Sequence, residues 1–205
     1  MRVPLPSRND DGSYEFKAGM SIDGDGCNGQ SSAPVYAPAG YSPTPLDFLA
    51  NAGAPGGWFG IVTDDGTASG EPIRQGQRDP APGAFISATT YEYAGYDRTD
   101  PNRYVDANAV PYFVIPSHWR AEAVGVVLGC RGTIMDIDTG AILECVVGDL
   151  GPRGHAGEAS IAVARFFGVP SSPKNGGTDE ARFLYTFFPD IPALVDGVEY
   201  ALIPA

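Results

Sequence analysis

Apolar residues along this chain come in short runs broken by glycine, proline and acidic turns. Tyr14 to Ile22 reads as a first strand, ending at Asp23-Gly24-Asp25-Gly26. Trp58 to Thr63 reads as a second, and Gly83 to Tyr93, with Phe85, Ile86 and Tyr91, as a third. Val110 to Ile115 is apolar and aromatic, bounded by Pro111 and Pro116, and has the pattern of a buried strand. Val124 to Leu128 and Thr133 to Ile137 follow, and Ala141 to Val147 returns antiparallel across a Thr139-Gly140 turn. Phe183 to Phe188 and Val198 to Ile203 supply the last strands. Helical spacing is confined to Glu158 to Phe167, where Ile161, Ala162, Val163, Phe166 and Phe167 recur with Gly168 placed as the C-terminal cap residue. Leu46 to Ala52 has room for one or two helical turns before Gly53. Eight or nine strands, one or two short helices and no repeat of fixed period predict a mainly β fold closed into one barrel. Residues 1–13 read as an N-terminal arm and 14–205 as a single domain.

Composition agrees with many short elements: 27 glycines and 19 prolines stand among 205 residues. With 43% hydrophobic residues, the chain has apolar surface enough to offset the entropy of ordering. The net charge of −12 makes nucleic acid and anionic membranes poor partners and a cationic polymer a good one. No run approaches 18 consecutive apolar residues, so no membrane helix is expected, and Met1 to Asp10 lacks a signal-type apolar core. Cys27, Cys130 and Cys145 leave at least one thiol unpaired. A turn at Asp138 to Ala141 sets Cys145 opposite Ile134, out of register with Cys130, so no disulfide is expected.

Candidate chemistry concentrates in Gly148-Asp149-Leu150-Gly151-Pro152 followed by Gly157-Glu158-Ala159-Ser160. A strand delivers Asp149 at its end, a Gly/Pro loop intervenes, and Glu158 opens the helix. Two carboxylates facing one loop-lined cleft suit glycoside hydrolysis, in which one protonates the leaving oxygen and the other activates water or attacks the sugar. A plainer reading has Asp149 capping the loop and Glu158 complementing a helix dipole. A helix N-terminus favours ionised Glu158, so a role as acid needs burial, or repulsion from Asp149, to prevail.

These blocks resemble the signature around the catalytic pair of glycoside hydrolase family 75, the chitosanases. Met20-Ser21-Ile22-Asp23-Gly24-Asp25-Gly26 with Lys17 ahead of it is similar to the family's acidic-glycine motif. Asn51-Ala52-Gly53 with Trp58 and Gly60 is similar to the next block, and Tyr104-Val105-Asp106 with Val110-Pro111-Tyr112-Phe113-Val114-Ile115-Pro116 to its central strand. The resemblance spans roughly residues 14 to 203. It implies a six-stranded double-psi β-barrel with additions, and endo-hydrolysis of β-1,4 bonds between glucosamine units with inversion. It gives Glu158 as proton donor and Asp149 as general base, chitosan as the partner, and no cofactor. The loop between the two acids is short for this family.

Asp23 and Asp25 are candidates to hold substrate amines. Their turn fails the calcium-loop pattern because Cys27 and Asn28 occupy its fifth and sixth positions. Lys17 is a candidate to orient Asp23 or Asp149 by a charge-assisted bond, with a surface lysine as the plainer reading. His155 lies in the loop between the acids, and with His118 far off no zinc set forms. Trp58, Tyr112 and the His118-Trp119 pair are candidate sugar contacts whose alternative is core packing. Ser160 lacks a base and orienter, which argues against a serine nucleophile. Two other functions fit such a barrel: a peptidoglycan-cleaving enzyme of lytic-transglycosylase type, and an expansin-like carbohydrate binder that cuts nothing. A polysaccharide partner implies an extracellular location, with the leader trimmed or export by another route, and a monomer is expected.

Overall fold

The computed structural model describes residues 3–122 and 127–203. Its strands are β1 (Ser7–Arg8), β2 (Tyr14–Asp23), β3 (Tyr112–Pro116), β4 (Cys130–Asp136), β5 (Ile142–Gly151), β6 (Glu158–Ser160), β7 (Thr178–Val195) and β8 (Val198–Tyr200). Two short helices, α1 (Ser117–Glu122) and α2 (Ile161–Phe166), follow β3 and β6. Six strands run side by side in the order β2-β6-β3-β5-β4-β7, and a β2–β7 pairing closes them into a barrel with β1 and β8 outside. The β2–β6 and β3–β5 pairs are parallel and the others antiparallel. Exchanging β2, β3 and β4 with β5, β6 and β7 maps this set of pairings onto itself, which is the arrangement of a double-psi barrel.

Side chains alternate across each strand, so one set points inward. The inward set is aromatic. Phe16 stacks on Tyr185 at 4.7 Å and Tyr14 on Phe187 at 5.6 Å, while Phe113 meets Tyr185 edge-on and lies tilted against Phe187. Gly132 leaves room for Phe113, whose ring atom lies 2.2 Å from where a Cβ would stand. Burying each such ring is worth about 1.5–3 kcal/mol relative to leaving it in water. Trp119 of α1 packs on Phe16 and Phe187, and its indole N–H donates to the carbonyl of Pro4 at 3.1 Å. The N-terminal arm is thereby strapped over the barrel. Val3 also donates its N–H to Arg153, and its carbonyl meets His118 Nε2 at 3.0 Å.

Between β2 and β3 runs an 88-residue excursion, residues 24–111, which differs from the two strands expected within it. Trp58 to Thr63 and Gly83 to Tyr93 form only isolated bridges, Ile61 with Ser87, Thr63 with Pro72, Arg74 with Phe85 and Glu92 with Tyr104. Polar side chains replace the missing ladder. Fully buried Asn28 donates to the carbonyls of Ser87 and Pro101 and accepts from the Ser87 N–H at 2.7 Å, while Gln75 donates to the carbonyl of Asn28. Leu46 to Ala52 yields a single 3-10 turn at Leu49–Ala52.

The helix expected from Glu158 begins three residues later. Glu158 lies on β6, paired to β2 on one side and β3 on the other, and Ser160 caps α2 by accepting from Val163 N. Cys145 stands opposite Gly132 rather than Ile134, because the turn closes between Asp136 and Ala141. All three cysteines are buried free thiols. Residues 124–126 of the strand expected at Val124 to Leu128 lie outside the described residues; Leu128 bridges to Ile203.

One irregularity sets the site. Along β3 and β5 the register runs Phe113 with Val147, then Val114 with Asp149, so Gly148 is an extra residue on β5. Cys145 and Val147 point into the barrel. Strict alternation would send Asp149 inward as well, and the bulge turns it to the outer face. A Cβ on Gly148 would lie 2.8 Å from Tyr112 Cβ. Gly148→Ala is therefore expected to destabilise the fold by about 1–3 kcal/mol, read as a lower urea midpoint at unchanged slope. A variant as stable as the parent would show that the bulge tolerates a side chain.

Candidate active site

Register places the two acids. Ser21 pairs with Glu158, Glu158 with Val114, and Val114 with Asp149, so one rung across β2, β6, β3 and β5 carries all four side chains on the outer face. They open into a cleft of about 930 Å³, whose lining also includes Asp23, Asp25, Tyr36, Asp47, Asn51 and Thr90. One strand separates Asp149 from Glu158, which sets their Cα atoms roughly 9–10 Å apart. Glu158 is preceded by Gly157, whose φ of +91° and close approach to Ala18 Cβ, 2.5 Å from the position of a Cβ, exclude a side chain. That approach brings Gly157 O onto the N–H of Ser21 at 2.8 Å and seats β6 against β2.

Asp149 is 6% exposed. Its Oδ1 accepts the Thr90 N–H at 2.9 Å, the Thr90 hydroxyl at 2.5 Å and the Leu150 N–H at 2.7 Å. Asp23 closes its turn by accepting the Asp25 N–H at 2.7 Å. Asp25 is held by the hydroxyls of Ser87, at 3.2 Å, and Tyr36. Asp47 accepts from the Phe48 N–H and from both approaches of Asn51 Nδ2, at 3.1 and 3.0 Å.

Burial of so many carboxyl groups in one place sets their electrostatics. Desolvation, then the charges of Asp149 and Asp47, push Glu158 up to about 7. Asp149 is also raised by burial, against the pull of its three hydrogen bonds. Burial raises Asp23 and Asp25 well above the usual carboxylate range. For Asp23 the charge of Asp25 comes next, and for Asp25 that of Asp149. The basic side chains among the described lining residues are His155 and Lys174, and Lys174 donates to Pro45 O at 2.8 Å. The arrangement sets Glu158, whose burial and acidic neighbours favour its protonated form, beside Asp149, whose three donors oppose the effect of burial, in one acidic trough.

Of the residues singled out in the sequence, Asp149, Glu158, Asp23, Asp25 and His155 line this cleft, and His155 Nε2 lies 3.0 Å from Ser21 Oγ. Tyr112 is fully buried behind it, its hydroxyl donating to Asp25 O at 3.2 Å. Trp58 is buried in the core and Lys17 is exposed on β2 beside Leu184, and neither is among the lining residues. Sequence reasoning missed Thr90, Asp47, Tyr36 and Phe59, all in the excursion. Phe59 stands out because 75% of it is exposed at the cleft. Asp47 and Asn51 at i and i+4 were a visible signal for a capped turn; Thr90 carried none. Among the described residues no group of three or more His, Cys, Asp or Glu side chains is placed to hold a metal ion, and no described helix is long and apolar enough to cross a membrane. No model of a known protein family matches this chain, and neither does any curated protein.

The raised carboxyl groups bind protons more tightly folded than unfolded. Their stabilising contribution is complete below the unfolded carboxyl value of about 4.3 and is lost as pH rises through the folded one, about 7 for Glu158. Glu158→Gln is therefore expected to raise the melting temperature at pH 8 by roughly 2–4 °C and to change it little at pH 4. An equal offset at both pH values in calorimetry would refute this electrostatic account.

Proposed function

We propose that this protein is an endo-acting chitosanase, hydrolysing β-1,4 bonds between glucosamine units with inversion. The observation that carries the reading is the shared rung, with Glu158 and Asp149 on one face and a strand's width between them. An inverting hydrolase needs its carboxyl groups about 6.5–9.5 Å apart to admit a water, whereas a retaining one needs about 5–5.5 Å. Outward-facing side chains two strand spacings apart suit the wider class. The acidic trough suits a polymer bearing ammonium groups. The resemblance to family 75 at Gly148 to Pro152 and Gly157 to Ala162 supports the same assignment.

In this mechanism Glu158, still protonated at mildly acidic pH, gives its proton to the glycosidic oxygen as the bond to C1 breaks. Asp149 takes a proton from the water whose oxygen bonds to C1 from the opposite face. The turnover ends with Glu158 ionised and Asp149 protonated, and exchange with solvent restores both. Asp23, Asp25 and Asp47 supply carboxyl oxygens as acceptors for the substrate ammonium groups, and Phe59 offers a ring face at the lip of the cleft for a pyranose to stack upon.

Reducing ends should be released from soluble chitosan, with the α-anomer appearing first by proton NMR. Glu158→Gln and Asp149→Asn should each lower kcat by about 10²–10⁴-fold while remaining folded. Persistence of cleavage in both would overturn the assignment. Because the donor must hold its proton, the alkaline limb of kcat/KM should fall near pH 7, the value at Glu158. Phe59→Ala should raise KM several-fold at similar kcat; an unchanged KM would remove Phe59 from the binding surface.

A further inference from the structure

Among the described residues, the excursion's hydrogen bonds to the acid pair come from Thr90. Thr90 contributes both its N–H and its hydroxyl to Asp149, and both reach the same atom, Oδ1. The Leu150 N–H reaches that atom too, so the hydrogen bonds that Asp149 accepts from the described residues all fall on one of its two oxygens. The residues flanking Thr90 are themselves fixed. Thr89 Oγ1 donates to Tyr91 O at 2.7 Å and accepts the Val105 N–H at 3.0 Å, and the Tyr91 N–H donates to Gly148 O at 3.0 Å. The segment 89–91 is thus clamped to the carbonyl of the bulge residue and to the carboxylate beside it. Thr90 itself is exposed in the cleft wall.

We infer that Thr90 is a positioning residue for the general base: it pins Oδ1 of Asp149, which fixes the carboxylate plane and leaves Oδ2 to meet the attacking water. This rests on the role of Asp149 given above. A carboxylate tied at one oxygen by three donors cannot rotate about its Cβ–Cγ bond without breaking them together. The same donors favour the ionised form, which is the form a base must have.

Two substitutions separate this role from a structural one. Thr90→Val keeps the branched shape and removes the hydroxyl; Thr90→Ser keeps the hydroxyl and removes the methyl. With a soluble glucosamine oligomer, Thr90→Val should lower kcat roughly 10-fold with KM nearly unchanged. Its acidic limb should move to higher pH, because Asp149 ionises less readily without its donor. Thr90→Ser should restore both. Independently of turnover, the carboxyl carbon of Asp149, followed by ¹³C NMR titration, should ionise at higher pH in Thr90→Val than in the parent. An unmoved titration, or failure of Thr90→Ser to restore the parent behaviour, overturns the inference. If the parent hydrolyses no glucosamine polymer while the titration moves as described, Thr90 still holds Asp149, and it is the assignment of function that falls.

Discussion

Side chains on a strand have a period of two, so one inserted residue transfers everything beyond it to the other face. Gly148 is that residue in β5. Before it, Cys145 and Val147 fill the aromatic barrel interior; after it, Asp149 stands on the outside, level with Glu158 across Val114. The rest of the site is arranged around this displacement. Tyr112 packs where a Cβ would have been, and the excursion reaches in at Tyr91 and Thr90 to satisfy the bulge carbonyl and the turned carboxylate.

Gathering Asp23, Asp25, Asp47, Asp149 and Glu158 in one trough places like charges in a region of low dielectric. Among the described residues the fold compensates through donors, including the Tyr36, Ser87 and Thr90 hydroxyls and the turn N–H groups, rather than through ion pairs at these acids. That choice matters chemically. A guanidinium beside Glu158 would hold it ionised, whereas burial with acidic neighbours keeps it protonated into the neutral range. The stability given up at the cleft is recovered in the barrel, where the stacked rings make no such concession.

The barrel strands were largely legible in the sequence because Tyr14 to Ile22, Thr133 to Ile137 and Phe183 to Phe188 alternate or run apolar between turn residues. The two acids were legible as a pair through the glycines around them. Their relation was less so. The helical spacing at 158–167 hid a three-residue strand, because Glu158, Ala159 and Ser160 suit either state and only pairing with β2 and β3 decides between them. Gly148 inside a strand pattern was a readable sign of a bulge. Residues 24–111 were opaque for a different reason: their structure is fixed by side chains such as Asn28 and Gln75 reaching distant backbone, which leaves no periodicity. Thr90, Asp47 and Phe59 all lie there.

Closure of the barrel between β2 and β7 joins the beginning of the chain to nearly its end, Tyr14 facing Phe187. On a ribosome, β2 emerges long before the strand that will cover its edge. Until β7 is made, the aromatic lining of Tyr14 and Phe16 has no partner on that side, and the excursion lies between. Such a topology folds slowly and leaves a sticky open edge for most of synthesis. The seam that completes the ring can form only once the last quarter of the chain has been made.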